Sequence, residues 1–420
     1  MIEKLHEVFI RLMLTQGIGT RTAINLCKAL KEAGYETENY GLIFNNTNFI
    51  TQLIKSGLRL NKTQIDNLQK LPAQLDKYMH QHKTWLAQSE KHHFITIYDE
   101  YYPQALFDLP DPPIALYVKA QKQNLAQLNQ IGISVVGSRQ ATPEGLETAF
   151  KFSNELSQHG FPIISGLADG IDAKAHEGAL YGKNATIAVI GTGIDIVYPS
   201  KNKELFNQIS EYGCIISDFL LGEAPKPANF PRRNRIIAGL CKGIIVVEAN
   251  IKSGSLITAR IANELGRDVF AIPNSIYATS SKGCHALIKD GAILLESVQD
   301  VLNEWWIDSS KMDIENTYIT PQPHNQTSAL PNKEVTHTEF NKPAIQSQEK
   351  NIINPNYSVD SLEQKIISVI AYNPISIDKI SELVGIGISI SEIQSALFIM
   401  EMNGDVEKVE GGGMYRNIFK

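Results

Sequence analysis

The sequence predicts an α/β protein built on a doubly wound parallel sheet of extended Rossmann-like plan. A small helical N-terminal domain and a winged-helix-like C-terminal domain flank it. Three observations carry this. From residue 131 onward, short β-branched runs at 133–136, 161–164, 186–190, 214–217, 243–247, 268–272 and 292–295 alternate with helical stretches, as parallel strands and crossover helices do. The runs are apolar throughout, which suits strands covered on both faces. Several end in glycine-rich turns, where an open parallel sheet gathers its ligands.

Residues 5–30 carry apolar side chains at helical spacing around one break, Gln16, Gly17, Ile18, Gly19 and Thr20, which reads as helix, tight turn, helix. Residues 53–71 echo it around Ser56, Gly57 and Leu58. Residues 1–90 are therefore expected to form a helical domain, helix-hairpin-helix or SAM-like. A strand-like stretch at 93–98 leads into a proline-rich connector ending at Asp111, Pro112 and Pro113, and the core is placed at 91–307.

Between 308 and 357 the composition shifts to Asn, Gln, Thr, Pro and Lys, too apolar-poor to order a backbone, and a flexible linker is expected. Residues 359–371, 377–384 and 391–403 then read as three amphipathic helices, followed by a strand at 406–409 and the turn Gly411, Gly412, Gly413. That pattern suggests a winged helix over 358–420. From Tyr357 onward nine acidic side chains face five basic ones, which points to protein contact or regulation rather than a phosphate grip.

The 420 residues are 43% hydrophobic and 20% charged, with formal net charge −6, the profile of a soluble globular chain without a global basic field. Cys27, Cys214, Cys241 and Cys284 are far apart and indicate neither a zinc site nor a disulfide framework. No long apolar run or leader pattern occurs, so a cytoplasmic protein without membrane association is expected.

Functional residues are sought in the turns at the strand ends: Gly137, Ser138 and Arg139; Gly166, Leu167, Ala168 and Gly170; Gly191 and Gly193; and Ser253, Gly254 and Ser255. Together they offer backbone N–H groups to an anion. The run Arg232, Arg233, Asn234, Arg235 opens a helix after Pro231. Each cation there opposes the helix dipole by about 0.3–1 kcal/mol, so three together make little sense unless an anion such as phosphate, or an acidic partner, is present. Lys201 and Asn202 open another helix at the same edge.

Catalytic patterns fail on spacing. Gly178 to Asn184 is one residue short of a phosphate-binding Walker loop, with Asn184 where Ser or Thr belongs, and Gly191 and Gly193 lack the third glycine of a dinucleotide fingerprint. Asp172 and His176, four apart on a helix, fit ordinary helix chemistry better than an acid–base pair.

Read in order, these residues resemble one family. Tyr102 and Pro103, Pro112 and Pro113, residues 136–139 (VGSR), 165–172 (SGLADGID), Ala175 and His176, Tyr198 and Pro199, 230–235 (FPRRNR), Val247 and Glu248, and 253–259 (SGSLITA) are similar to the DNA-processing protein DprA, or Smf, family. The resemblance implies a homodimeric, non-enzymatic, single-stranded DNA-binding protein that loads RecA during natural transformation and recombination, with no nucleotide or metal cofactor. It implies a DNA pocket built from Arg139, Lys201 and the arginines of residues 232–235, supported by the loops at 166–170 and 253–255. The chain departs from the family at Asn274, where glycine usually follows proline, and at Asp218, where glutamate is common.

Two further readings stand beside this one. Related Rossmann-like folds include nucleotide phosphoribohydrolases, but their P-G-G-x-G-T-x-x-E loop is replaced here by residues 247–255 (VEANIKSGS). The Gly17, Ile18, Gly19 turn is either a helix-hairpin-helix grip on a DNA phosphate or a plain helical turn in a protein-interaction domain.

Overall fold

A computed structural model describes residues 2–305 and, further on, 362–369, 375–384, 390–402, 406–409 and 414–417. The expected linker at 308–357 and the glycines at 411–413 lie outside the described residues. Those that are described fall into two compact units, one holding 2–305 and the other 362–417.

Five helices open the first unit: α1 (Ile2–Leu14), α2 (Thr20–Glu32), α3 (Thr47–Lys55), α4 (Lys62–Gln69) and α5 (Leu75–Ala87). Their starts follow local chemistry. Asn46 caps α3 by accepting from the Phe49 amide, and Asn61 with Gln64 closes a capping box on α4. The turn between α1 and α2 is left-handed at Gly17 (φ +80°), where a side chain would be strained.

The sheet that follows comprises β1 (His92–Thr96), β2 (Ala115–Ala120), β3 (Gly132–Val136), β4 (Ile163–Ser165), β5 (Thr186–Val189), β6 (Cys214–Ser217), β7 (Cys241–Val246), β8 (Asp268–Ala271) and β9 (Ile293–Leu294). Between them run α6 (Pro143–Gln158), α7 (Ile171–Leu180), α8 (Lys203–Tyr212), α9 (Asn229–Leu240), α10 (Gly254–Glu264) and α11 (Lys282–Lys289), with α12 (Val298–Glu304) after β9. The order across the sheet is β1-β2-β6-β5-β4-β3-β7-β8-β9. From β6 to β9 every pairing is parallel, while β2 runs antiparallel to both β1 and β6.

The seven expected core strands are thus present as β3 to β9, and the doubly wound parallel plan holds. Strand β2, inside the stretch read as following a connector, extends the sheet to nine. Strand order reverses between β3 and β7, which opens a crevice at their carboxyl ends.

Alternate residues of each strand feed opposite faces. Ile164, Ile187, Val189, Ile216, Ile244 and Val246 pack under α9, α10 and α11. Ile133, Val135, Ile163, Ile245 and Phe270 pack under α6, α7 and α12. Towards the β1 edge, the second face continues into one apolar cluster that joins Phe94, Tyr117, Ala188 and Phe206 to α1, α2, α3 and α5. Polar contacts reinforce that junction: His6 Nδ1 lies 3.0 Å from His82 Nε2, and His82 Nδ1 lies 3.2 Å from the Tyr117 hydroxyl. The N-terminal helices, expected as a domain of their own, share a core with the sheet.

The second unit contains α13 (Leu362–Val369), β10 (Ile375–Ser376), α14 (Ile377–Val384), α15 (Ile390–Met402), β11 (Val406–Val409) and β12 (Met414–Asn417). Three helices close over an antiparallel sheet of order β10-β12-β11 around Ile366, Ile380, Ile393, Leu397 and Tyr415, the winged-helix arrangement. Among the described residues no helix is long and apolar enough to cross a membrane.

Trp305 closes the far end of the first unit. Its ring meets Phe161 edge-on with centroids 5.6 Å apart, and its Nε1 donates to Asp268 Oδ2 at 2.7 Å. Trp305→Ala is expected to destabilise this unit by about 3–5 kcal/mol, read as a lowered urea midpoint with unchanged secondary structure in the absence of urea.

Candidate functional site

The β3–α6 and β4–α7 turns rest on each other. The Ile171 amide donates to the Ser138 carbonyl at 3.1 Å, and Gly170 (φ +77°) passes so close that a Cβ would strike the Ser138 and Arg139 carbonyls. Glycine is therefore required there for both conformation and space. Arg139 is left exposed, its guanidinium carbon 5.4 Å from the centre of the Phe230 ring. Phe230, in the first turn of α9, is in turn seated on Gly191 after β5, where a Cβ would stand 3.0 Å from the ring. Four chain segments therefore converge at the carboxyl edge of the sheet.

Lys201 and Asn202 belong to the same group with different roles. Asn202 is buried and donates its amide to the carbonyls of Leu167 and Ala168, at 3.0 and 3.4 Å, so it fixes the turn. Lys201 is exposed and reaches Asp169 Oδ2 at 3.0 Å. Gly166 and Leu167 are buried, whereas Gly137, Ser138, Ala168 and Gly170 are partly accessible.

The structure divides the arginine run. Arg232 faces outward, with 51% of its side chain exposed and a 3.5 Å contact to Asp218. Arg233 is buried: its Nη1 donates to the carbonyls of Gly166 (2.6 Å) and Val189, and its Nε to Asn234 Oδ1. Burial lowers its pKa to about 10, so it remains a cation at neutral pH. Arg235 is also buried, bonded to Asp218 Oδ2 at 2.6 Å and to the Asp111 carbonyl.

The expectation that all three arginines meet phosphate is therefore corrected. Helix α9 lies on the sheet through positions 233, 236, 237 and 240, at helical spacing, and this turns Arg233 inward with Ile236, Ile237 and Leu240. Arg235 turns towards Asp218 at the end of β6.

Asp172 and His176 serve the same turn rather than each other. Asp172 Oδ2 accepts from the Gly166 amide at 3.1 Å, and burial raises its pKa against the opposing pull of Arg233. His176 Nε2 accepts from the Leu167 amide at 3.3 Å, and its Nδ1 sits 2.7 Å from Thr186 Oγ1. Burial pushes its pKa down to about 3, which keeps the ring neutral. Leu167 itself adopts φ +55°, a left-handed conformation rare for a branched residue and held here by these bonds.

At the next strand end, the 253–255 turn opens α10. Ser253 caps the helix and its hydroxyl lies 2.6 Å from that of Ser255. Helices α7, α8 and α9 instead begin without a side-chain cap; the first α7 amide is taken by the Ser138 carbonyl, and α8 continues from a 3-10 turn over Ser200–Asn202.

The Gly17, Ile18, Gly19 turn lies elsewhere. Gln64 and Asn67 of α4 donate to the carbonyls of Gly17 and Gln16. Ile18 and Gly19 line a cavity of about 470 Å³ with Asp111, Asp218, Glu223 and Arg232. Three carboxylates to one guanidinium make that cavity a poor phosphate site. Among the described residues no cluster of His, Cys, Asp or Glu has metal-binding geometry.

Residues 93–306 match the family model of DNA recombination-mediator protein A. The chain belongs to this family. Residues 354–412 match the family's winged-helix domain. Among curated recombination-mediator relatives, the chain is 48% identical over 210 residues to the DNA processing protein DprA of Streptococcus pneumoniae, covering 50% of this chain and 73% of the relative. It is 44% identical over 216 residues to protein Smf of Synechocystis sp., covering 51% of this chain and 54% of that relative. The match to the Synechocystis protein thus spans about half of its length. The crystal structure of DNA processing protein A from Streptococcus pneumoniae superposes with TM-score 0.59 at 37% identity, covering 71% of this chain and 97% of that one.

The buried histidine gives the recombination-mediator core a definite pH response. His176 stays neutral in the folded chain down to about pH 3, while the unfolded chain protonates it near pH 6.5. Stability is therefore unaffected by His176 above about pH 6.5 and falls as pH drops below it, by up to about 1.4 kcal/mol per pH unit. Urea unfolding between pH 7 and 4.5 is expected to show a shallower decline for His176→Gln than for wild type.

Proposed function

We propose that this chain binds single-stranded DNA at the carboxyl edge of its parallel sheet and acts there as a recombination mediator rather than as an enzyme. The observation that carries this reading is the placement of three exposed cations, Arg139, Lys201 and Arg232, on the turns and helix starts at the carboxyl ends of the parallel strands, with one carboxylate each beside Lys201 and Arg232. Cations at helix starts oppose the helix dipoles, and an anion bound among them offsets that opposition. A phosphodiester backbone supplies that anion repeatedly, without base-specific contacts.

A binder also suits the fate of the acid–base pair weighed in the sequence, Asp172 and His176 on α7. Asp172 and His176 each hold a backbone amide, and the loop characteristic of phosphoribohydrolases is replaced by residues 247–255. RecA loading, a role in natural transformation, a homodimer and a cytoplasmic location are part of the proposal through family membership.

The division of the arginine run makes the reading testable residue by residue. Labelled oligothymidine binding, followed by fluorescence anisotropy across a salt series, should weaken with salt in wild type. Arg139→Ala and Lys201→Ala should each lower the slope of log affinity against log salt by about 0.7, the loss of one phosphate contact. Arg233→Met should instead destabilise the fold by about 3–5 kcal/mol, since it strands Asp172 without its cation, and leave the salt slope of the folded fraction unchanged. Salt-insensitive binding by wild type and both surface variants, or release of free base from nucleoside monophosphates, would refute the proposal.

A further inference from the structure

We propose that Tyr198, backed by Phe230, is a stacking shelf for an unpaired base, and that it gives the site its preference for single over double strands. The inference rests on the reading of the carboxyl edge as a single-strand site and adds the element that phosphate contacts cannot supply.

Tyr198 is 44% exposed. A solitary exposed tyrosine is ordinary, but this one is placed and braced. Its ring centre lies 5.6 Å from that of Phe230 at 40° between planes. The same Phe230 ring carries the Arg139 guanidinium 5.4 Å from its centre and rests on Gly191. Three residues after Tyr198 comes exposed Lys201, and next to that the buried Asn202 pins the segment to the Leu167 and Ala168 carbonyls.

An accessible aromatic ring thus leans on the ring that also carries Arg139, three residues before exposed Lys201, on a segment pinned at Asn202. A strand whose phosphates meet Arg139 and Lys201 would carry its bases near this ring. Stacking on an aromatic side chain tolerates any base, because every base has a π face. In a duplex those faces are occupied by neighbouring pairs, so the shelf discriminates by strandedness and not by sequence. Glycine at 191 and phenylalanine at 230 are then linked: a larger residue at 191 displaces Phe230 and with it the support for Tyr198.

The test compares wild type, Tyr198→Leu and Tyr198→Trp for binding three labelled ligands of equal length: oligothymidine, an abasic strand with the same phosphates, and a blunt duplex. Leucine keeps an apolar cover over Phe230 while removing the π face. Wild type should bind oligothymidine roughly 5- to 50-fold more tightly than the abasic strand. Tyr198→Leu should lose most of that ratio while binding the abasic strand as wild type does, and Tyr198→Trp should keep it, with its indole fluorescence quenched by oligothymidine. The shelf is overturned if Tyr198→Leu binds oligothymidine as wild type does, or if it weakens abasic and normal strands equally. Should wild type fail to bind oligothymidine at all, the single-strand reading falls, and the shelf with it.

Discussion

The arrangement of the carboxyl edge depends on one buried cation. The Arg233 guanidinium bonds the carbonyl that follows β4 and the last carbonyl of β5, and it shares the interior with the Asp172 carboxylate across Gly166, where a Cβ would strike both side chains. Removing a charge of this kind from water is costly, and only satisfied donors and a nearby counter-charge offset it. The geometry is correspondingly exacting. Because Arg233 ties α9 to the strand ends, Phe230 one helical turn away has a fixed place. Because Asp172 and His176 secure the turn after β4, Gly170 can lean on Ser138 and set the direction in which Arg139 leaves the sheet.

Two populations of arginine therefore coexist in one short run, and electrostatics separates their duties. Arg233 and Arg235 are neutralised internally by carbonyls, Asp172 and Asp218. Arg139, Lys201 and the outer part of Arg232 stay in solvent, where Lys201 faces Asp169 and Arg232 faces Asp218. Asp218 sits at the border: beyond it lies the acidic cavity beneath the N-terminal turn, and before it the cationic edge. Since Asp218 is nearly inaccessible, it shapes this boundary without repelling phosphate directly.

Much of the core was legible in the sequence because strands buried on both faces leave continuous apolar runs, and the turns after them leave glycines. Strand β2 was not, since residues 115–120 come just after two prolines and the partners of residues 117–120 in β6 lie about a hundred positions away. The functional edge was legible as a set of loops but not as a division of labour. The signal for Arg233 was present, in its helical spacing from Ile236, Ile237 and Leu240, but three adjacent cations masked it. No local pattern joins Tyr198 to Phe230, because only the fold of β5, β6 and α9 brings them together.

The junction of the N-terminal helices with the sheet has a consequence for how the chain survives in a cell. Phe94, Tyr117 and Phe206 on one side and Phe9, Leu12 and Trp85 on the other belong to a single apolar cluster, and a histidine–tyrosine chain threads it. A protease nick that freed the first ninety residues would not release a tidy module. It would bare a greasy wall on the remaining sheet, and such a fragment is prone to clump. The opening helices are in this sense part of the foundation on which the β1 edge stands.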